Sequence, residues 1–340
     1  MPASERILVG GPFFDDLKVG QVFEDAPAMT LTAGHAAVYQ AVTGDRMRLP
    51  LDAELCAAVT GRPEPLAHPM LVCNLAIGQS TIVSQRVLGN LFYKGLVLLR
   101  PVFLGDTLRT RTEVVGLRQN KPREGRPATG MAALRVTTEN QRGEKVLDFW
   151  RCPMLPLGDP QGSTGHADRL EDVAPDLDLD AVRPAVPAWR LDAFRERAGS
   201  AGPPFGDVPV GTTYAVEARD TVTAATELVR MTLNVAMTHT DPGAGAHGRR
   251  LVYGGQTISI ACAQMLRALP GIVSIVAWRS CEHTGPVFEG DVLRSEVTVE
   301  DAWPLDDGGL IDLRAQVWAS RSETTIEEPV LDWRSVALSA

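Results

Sequence analysis

Residues 101–109 read PVFLGDTLR, and residues 286–294 read PVFEGDVLR. Seven of the nine positions are identical, and the two stretches lie 286 − 101 = 185 positions apart in a chain of 340 residues. A match of this length at such a distance is typical of an internal repeat. The glycine followed by aspartate suits a turn that leads into a strand. The pair therefore indicates a domain that is present twice, and it predicts turn chemistry and fold rather than catalysis.

Further matches follow in the same order at a slowly drifting offset. DDLKVG at residues 15–20 resembles GDVPVG at 206–211, and VLDF at 146–149 resembles VLDW at 330–333. The offsets of these pairs are 206 − 15 = 191 and 330 − 146 = 184, so only small loop insertions separate the copies. The segment between them is rich in Gly, Pro, Asp and Ser, which is typical of a linker. The predicted units are an N-terminal domain over 1–156, a linker over 157–204 and a C-terminal domain over 205–340.

The composition excludes several classes of function. Hydrophobic residues make up 44% and charged residues 22%, as in ordinary globular proteins. The formal net charge of −9 gives no overall attraction to nucleic acid, which is not expected as a partner. No run approaches the ~20 apolar residues that span a bilayer, and the N-terminus lacks a signal-peptide core, so we predict a cytoplasmic protein without membrane contact. The five cysteines are widely spaced without a C-x-x-C pair, so neither a disulfide framework nor a zinc site is expected.

Each copy shows the same succession of predicted helices. Thr32 is placed to cap a helix over 33–43, and Thr223 is placed to cap one over 224–233. A polar loop follows. A longer apolar helix then begins near Pro69 in the first copy and near Gly255 in the second, and in the second copy it shows the three- and four-residue spacing of a buried face.

Alternating apolar positions after each long helix predict antiparallel strands, as at 108–114 and 293–299. A sheet with one apolar face needs a cover, which the long helix supplies. We therefore predict an α+β fold of the tandem double hot-dog type, in which each copy wraps an antiparallel sheet around a long central helix. The two copies are expected to pair edge to edge as an internal pseudo-dimer, and further assembly into a homo-oligomer is left open.

The polar segment before the second long helix carries the candidate site. It reads NVAMTHTD over 234–241 and RRLVYGGQT over 249–257. This pattern resembles the motif of the MaoC-like hydratase/dehydratase family, which runs Asp-x-Asn-Pro-x-His-x-Asp and is followed by a glycine-containing helix start. With the repeat and the Pro-Val-Phe-x-Gly-Asp stretches, the resemblance extends over nearly all of both copies. It is closest to the duplicated β-methylmalyl-CoA dehydratase (mesaconyl-CoA hydratase) branch.

The resemblance assigns different positions to the two copies. His239 occupies the place of the catalytic histidine and Asp241 that of the trailing aspartate, whereas Asn234 stands where the family has an aspartate. In the first copy Asp45 keeps the aspartate position, but Pro50 replaces the histidine. Proline cannot transfer a proton, so the first site is expected to be degenerate and the second to be the active one.

The resemblance implies a hydro-lyase that adds water to an enoyl-CoA or removes it from a 3-hydroxyacyl-CoA. His239 would transfer the proton, because histidine titrates near neutral pH. Asn234 would hold the water through its carbonyl oxygen. The N–H of Gly255, at the start of the long helix, would stabilise the thioester oxyanion. The acyl group is expected to be short and branched or dicarboxylic.

Further substrate contacts complete the predicted site. They are assigned to Tyr253, Gly254, Gln256, Asp241, Arg250 and Asp45. The role of His68, which aligns with Tyr253, is open between packing and lining the degenerate site, and His283 is expected to have no role. No metal and no cofactor besides the CoA of the substrate is expected. Two alternatives remain at this point, which are an acyl-CoA thioesterase and a noncatalytic acyl-CoA-binding protein, since neither copy has the complete motif.

Overall fold

A computed structural model describes residues 7, 9–198, 202–245, 248–321 and 326–340. Its α-helices are α1 (Ala33–Thr43), α2 (Arg48–Leu51), α3 (Ala53–Thr60), α4 (Pro69–Gln79), α5 (Leu179–Val182), α6 (Leu191–Ala198), α7 (Ala225–Met231) and α8 (Gly254–Ala268). Its strands are β1 (Val22–Phe23), β2 (Met29–Thr30), β3 (Gly89–Leu98), β4 (Thr107–Gln119), β5 (Thr129–Glu139), β6 (Lys145–Pro156), β7 (Thr213–Ala215), β8 (Asp220–Thr221), β9 (Ile272–Glu282), β10 (Val292–Pro304), β11 (Gly309–Ser320) and β12 (Glu327–Ser339). Within the described ranges, every helix is too short or too polar to cross a bilayer.

The strand order shows the duplication directly. It runs β1-β4-β5-β6-β3-β9-β12-β11-β10-β7, so the second half mirrors the first. The copies join where β3 and β9 pair antiparallel, with Lys94 opposite Ser280 and Val97 opposite Ala277. The long helices α4 and α8 lie buried against this continuous sheet. The predicted α+β double hot-dog with edge-to-edge copies is therefore confirmed.

The repeated Pro-Val-Phe-x-Gly-Asp stretch forms the same turn in both copies. Gly105 has φ of +102° and its counterpart Gly290 has φ of +92°, a backbone conformation that favours glycine. The carboxylate of Asp106 accepts the N–H of Phe103 at 2.9 Å, and Asp291 makes the equivalent bond at 2.9 Å. The stretch thus serves as a turn that leads into β4 and β10.

The two central helices meet at equivalent positions. Asn74 Nδ2 of α4 donates to Ser259 Oγ of α8 at 2.9 Å, and these residues are 259 − 74 = 185 positions apart, which is the repeat offset. The hydroxyl of Tyr253 also donates to the backbone oxygen of Asn74 at 3.1 Å. The start of α8 is thereby held against the first copy, and a site built there contains residues of both copies.

The sequence prediction does not include β3 and β9, the two long strands at the centre of the sheet. β9 is buried at almost every position and reads IVSIVAW from its start, and β3 contains glycine and lysine among apolar residues. Neither shows clean alternation, because these strands form the centre of the sheet and are covered on both sides over much of their length. They join the two copies.

Two details at the first helices differ from the prediction. The predicted polar loop of the first copy contains α2 and α3, and Asp52 caps α3 by accepting the N–H of Leu55 at 2.9 Å. In the second copy the prediction that Thr223 caps the helix is wrong. Ala224 takes the cap position with φ of +53°, while the carbonyl of Thr223 accepts Gln256 Nε2 at 2.7 Å.

The segment predicted as a linker packs against the first copy and the sheet. Its helices α5 and α6 contribute Val182, Leu191 and Phe194 to a buried cluster that also contains Leu49 and Val276. Helix α6 begins at Leu191, four residues after Pro187. The exact domain limits remain a prediction.

Candidate active site

A cavity of about 280 Å³ lies between the two copies. The first copy supplies one wall, from the end of α4, β3 and β6. The second copy supplies the other, from the 3₁₀ turn Met237–His239, the start of α8 and the segment 283–287. Leu91, which lines the cavity, is 41% exposed, so the cavity reaches the surface there. The motif segment of the second copy therefore faces a pocket, as the sequence predicts.

The hydrogen bonds of His239 fix its tautomer. Its Nδ1 lies 2.9 Å from the carbonyl oxygen of Leu251, which can only accept, so Nδ1 carries the proton. Nε2 then keeps its lone pair and can accept a proton within the cavity. The ring lies 5.5 Å from that of Tyr253, measured between centroids.

The surroundings of His239 keep it neutral. Burial lowers its pKa to about 4, opposed by the bond to Leu251 and assisted by the positive charge of Arg151. At neutral pH the imidazole is thus a proton acceptor, ready to receive a proton from water. This is the state that a general base requires.

The two ends of the Asn234 amide have different surroundings. The side chain lines the cavity, but its Oδ1 accepts the N–H of Ala236 at 3.0 Å in a local turn. The buried Nδ2 has no partner among the described residues. Asn234 therefore offers a donor to a ligand, and the role of its carbonyl oxygen in holding the water stays a prediction.

The two glycines at the start of α8 differ in whether they line the cavity. Gly254, the first residue of α8, lines the cavity, whereas Gly255 is buried outside it. A Cβ on Gly255 would lie 1.8 Å from Asn74 Oδ1, so that glycine serves the contact between the central helices. The structure therefore does not bring Gly255, the predicted oxyanion donor, into the cavity lining, whereas Gly254 lines it in the first turn of α8.

His283 is a site residue that the sequence analysis missed. Its ring lines the cavity, and a Cβ on Gly254 would lie 2.4 Å from its Nε2, so only glycine fits beside it. Burial, with a smaller contribution from the neighbouring His239, lowers the pKa of His283 to about 4. The motif gave no hint, because His283 lies at the end of β9, a strand whose place in the fold the sequence did not reveal.

The remaining predicted contacts divide into those inside and those outside the cavity. Tyr253 lines it. Gln256 is buried and bonded to Thr223, and Asp241 is exposed and accepts the N–H of Gly243 at 2.8 Å. Arg250 pairs with Glu289, away from the cavity lining. The structure does not bring these three into the pocket, and this corrects their assignment as direct contacts to a bound acyl group.

The cavity wall carries polar atoms that lack protein partners. Among the described residues these buried atoms are Asn90 Oδ1, Arg151 Nε, Asn234 Nδ2, Thr238 Oγ1 and His283 Nε2. Buried polar groups in folded proteins are almost always hydrogen-bonded, so a cluster of exceptions calls for an explanation. A bound polar ligand supplies one.

The equivalent place in the other copy is nearly closed. Its cavity measures about 30 Å³ and is lined by residues at the repeat offset of 185, such as Pro69 for Gly254 and Leu98 for His283. Pro187 and Trp189 of the linker segment line it as well. The first copy contributes no motif histidine there, because Pro50 occupies that position, within α2.

Asp45 is buried in the first copy and lines neither the open nor the closed cavity, which corrects its assignment as a substrate contact. Its Oδ1 is 2.8 Å from His68 Nε2 and accepts the N–H of Met47 at 2.7 Å. His68 Nδ1 accepts the N–H of Met70 at 3.0 Å and so caps α4. Cys262 completes a buried group within 4.8 Å that sequence spacing did not reveal, but both nitrogens of His68 are engaged, so the ring has no lone pair for a metal.

Comparison with known proteins gives consistent relatives. The profile described as "MaoC like domain" matches residues 16–137, in the first copy. The chain is 32% identical over 307 residues to a β-methylmalyl-CoA dehydratase of Chloroflexus aurantiacus, covering 86% of this chain and 84% of that protein. It is 30% identical over 321 residues to a mesaconyl-CoA hydratase of Cereibacter sphaeroides, covering 92% and 90%. A solved double hot-dog structure from Mycobacterium tuberculosis shares 49% identity with a TM-score of 0.91, covering 98% of this chain and 100% of that one.

Proposed function

The chain belongs to the MaoC-like hydratase/dehydratase family in its duplicated double hot-dog form, and on this premise we propose that the inter-copy cavity is its active site. The reaction is the reversible hydration of a 2-enoyl-CoA to a 3-hydroxyacyl-CoA. The two curated relatives act on mesaconyl-CoA and β-methylmalyl-CoA by name, which favours a short branched or dicarboxylic acyl group. A cavity of about 280 Å³ fits a short group, since it lies at the small end of ligand pockets.

The single observation that carries the proposal is the free Nε2 lone pair of His239 within the cavity. The acyl group enters between the copies, and its thioester oxygen is placed at the N–H of Gly254, where the helix N-terminus stabilises developing negative charge. Asn234 Nδ2, Thr238 Oγ1 and His283 are available to hold the water. These groups surround the carbons that react.

The proton balance needs only one histidine. Nε2 of His239 removes a proton from the water as its oxygen bonds to the β-carbon, and the α-carbon becomes the enolate carbon of the thioester. The same nitrogen then returns that proton to the α-carbon, and the enolate collapses to the thioester. Both transfers occur on the face of the acyl group that contacts His239, so water adds in a syn sense. No metal and no cofactor besides CoA takes part in this scheme.

The test follows the enoyl-thioester absorbance with mesaconyl-CoA, crotonyl-CoA and tiglyl-CoA, with the product identified by mass. We expect hydration by the wild-type protein and a loss of about 1,000-fold in kcat for His239→Ala, the usual scale of general acid–base catalysis. His166→Ala removes a histidine outside the cavity lining and should retain normal turnover.

Other outcomes would identify the competing functions. Release of free thiol with the double bond intact would indicate a thioesterase, which the same fold can host. Tight binding of all three CoA esters without turnover would indicate a noncatalytic binding protein, the reading that Asn234 in place of an aspartate keeps open. Normal turnover by His239→Ala would remove the proposed mechanism.

A further inference from the structure

Arg151 is a buried cation in the cavity wall that the proposed mechanism does not use. It lies on β6 with 3% exposure, beside Tyr93 in the neighbouring strand. Its Nη2 donates to the hydroxyl of Ser84, and its Nε has no partner among the described residues. Burial lowers the pKa of this guanidinium, and the interactions that act on it include no carboxylate. A buried charge of this kind is costly unless an anion pairs with it.

The cavity supplies no such anion. Its described lining contains no aspartate or glutamate, and its two histidines are neutral at pH 7. The position that carries an aspartate in the family motif holds Asn234 here. The cavity as a whole is therefore cationic, with one positive charge and several unpartnered donors.

The counterpart in the other copy lacks this feature. At the offset 335 − 151 = 184 stands Ser335, and the strand neighbour of Ser335 is Trp278, just as Tyr93 neighbours Arg151. The second copy thus has a serine and a tryptophan at the strand positions where the first copy has Arg151 and Tyr93. The arginine accompanies the open cavity, which points to a ligand rather than to a structural need of the fold.

We propose that Arg151 binds a carboxylate at the far end of the acyl group and so selects 2-enoyl-CoA substrates whose acyl chain ends in a carboxylate. This inference rests on the proposed function and names its substrate class. The planar guanidinium can bind a carboxylate through two parallel hydrogen bonds. The hydrated phosphates of CoA remain outside, because Arg151 is buried. The thioester oxygen is assigned to Gly254, on the wall that the other copy supplies.

The uncharged amide of Asn234 also suits a substrate that carries a carboxylate. An aspartate at this position would add a negative charge to the small cavity, where it would pair with Arg151 or repel a substrate carboxylate. An amide introduces a donor and carries no charge. The departure from the family motif and the unpaired arginine are thus two parts of one adaptation to an anionic acyl group.

The test compares two substrates that differ only at the far end. Mesaconyl-CoA ends in a carboxylate, and tiglyl-CoA carries a methyl group in its place. We expect the wild-type kcat/KM for mesaconyl-CoA to exceed that for tiglyl-CoA by about 100-fold, and Arg151→Met to abolish this preference while changing the tiglyl-CoA value by less than about threefold. Arg151→Lys, which keeps the charge without the planar fork, should retain part of the preference.

Binding and stability measurements keep the inference testable whatever the turnover. By calorimetry, the wild-type protein should bind mesaconyl-CoA more tightly than tiglyl-CoA, and Arg151→Met should bind both alike. The melting temperature of unliganded Arg151→Met should equal or exceed that of the wild type, because an uncompensated buried charge is removed.

The contrary results are equally distinct. Equal losses for both substrates in Arg151→Met, or a clear fall in its melting temperature, would assign Arg151 to the thioester or to the fold and overturn the inference. Efficient wild-type turnover of tiglyl-CoA without preference for mesaconyl-CoA would overturn it while leaving the proposed function intact. Absence of turnover with unchanged binding preference would overturn the proposed function and leave the carboxylate site in place.

Discussion

The two copies each hold a histidine, His239 in the second and His68 in the first, and the two imidazoles differ in their hydrogen bonds. In the open cavity, the Nδ1–H of His239 donates a hydrogen bond to the carbonyl of Leu251, and Nε2 keeps its lone pair. In the buried interior of the first copy, Nδ1 of His68 accepts the N–H of Met70, and Nε2 faces the carboxylate of Asp45. One imidazole is therefore a free base, whereas the other is a structural link without an available lone pair.

The cavities of the two copies also differ, in volume and in the residues that line them. The open cavity of about 280 Å³ has glycine at the start of α8, and the closed one of about 30 Å³ has Pro69 at the start of α4 and Trp189 in its lining. Trp278 and Trp333 pack edge to face in the buried core of the second copy. Duplication has thus allowed one site to be filled for stability while the other remains open.

The largest expected effect that tests this difference is a loss of stability when His68 of the first copy is substituted. His68→Ala leaves Asp45 as an unpaired buried carboxylate and removes the cap of α4, so we expect a loss of about 3 kcal/mol or more in the free energy of unfolding. The kcat of the folded fraction should stay normal. Chemical denaturation and turnover of the same sample measure both quantities.

A double-mutant cycle sharpens the result. Combined with Asp45→Asn, the cost of His68→Ala should shrink by more than about 1 kcal/mol, because the carboxylate that loses its partner is no longer present. A large fall in kcat with unchanged stability would instead show that the closed copy takes part in catalysis.

A smaller effect is expected when the open site is returned toward the family motif. Asn234→Asp places a carboxylate oxygen where Nδ2 now faces the cavity, while the other oxygen can still accept the N–H of Ala236. A second proton acceptor should raise kcat for tiglyl-CoA by about tenfold, which is less than the ~100-fold or more of a principal general base, because His239 already serves as one. For mesaconyl-CoA we expect a higher KM, because two carboxylates then compete for Arg151.

Steady-state kinetics with both substrates separate these two effects. Asn234→Ala is the matched control, because it removes the donor without adding a charge. A lower kcat of Asn234→Asp with the uncharged substrate would show that the amide donor, and not a base, is needed at this position.

The sequence predicted the parts of the molecule that depend on local pattern. The repeated turn at Gly105 and Gly290, the helix capped by Thr32 and the long apolar helices all follow from residue type and spacing. His239, which the motif singles out, lines the inter-copy cavity. These features need only the chain neighbours to be recognised.

The sequence could not reveal what depends on the meeting of distant segments. β3 and β9 lack alternation because both their faces are covered, and His283 and Arg151 reach the cavity only through the pairing of these strands with β6 and with each other. The choice between Gly254 and Gly255 depends on the contact of Gly255 with Asn74, which lies 255 − 74 = 181 residues away. The direction of the Asn234 amide depends on a turn that no propensity specifies.

The last prediction concerns the pH dependence of stability and of activity. It has the smallest effect at neutral pH, and it tests most directly whether His239 is a free base. The folded protein holds the pKa of His239 and of His283 at about 4, against about 6.5 in an unfolded chain, so the unfolded state binds more protons between these values. Stability should therefore be constant above pH ~6.5 and fall as the pH drops through this window.

The activity follows the same argument, since only neutral His239 accepts a proton. The acid limb of kcat/KM should lie well below pH 6.5, toward 4, with circular dichroism confirming that the protein is folded at each point. In Asn234→Asp the nearby carboxylate stabilises the imidazolium, so the limb should move upward. A wild-type limb near 6.5 would mean that His239 is solvated like an ordinary surface histidine, and the contrast between the two copies would then not rest on the burial of a free base.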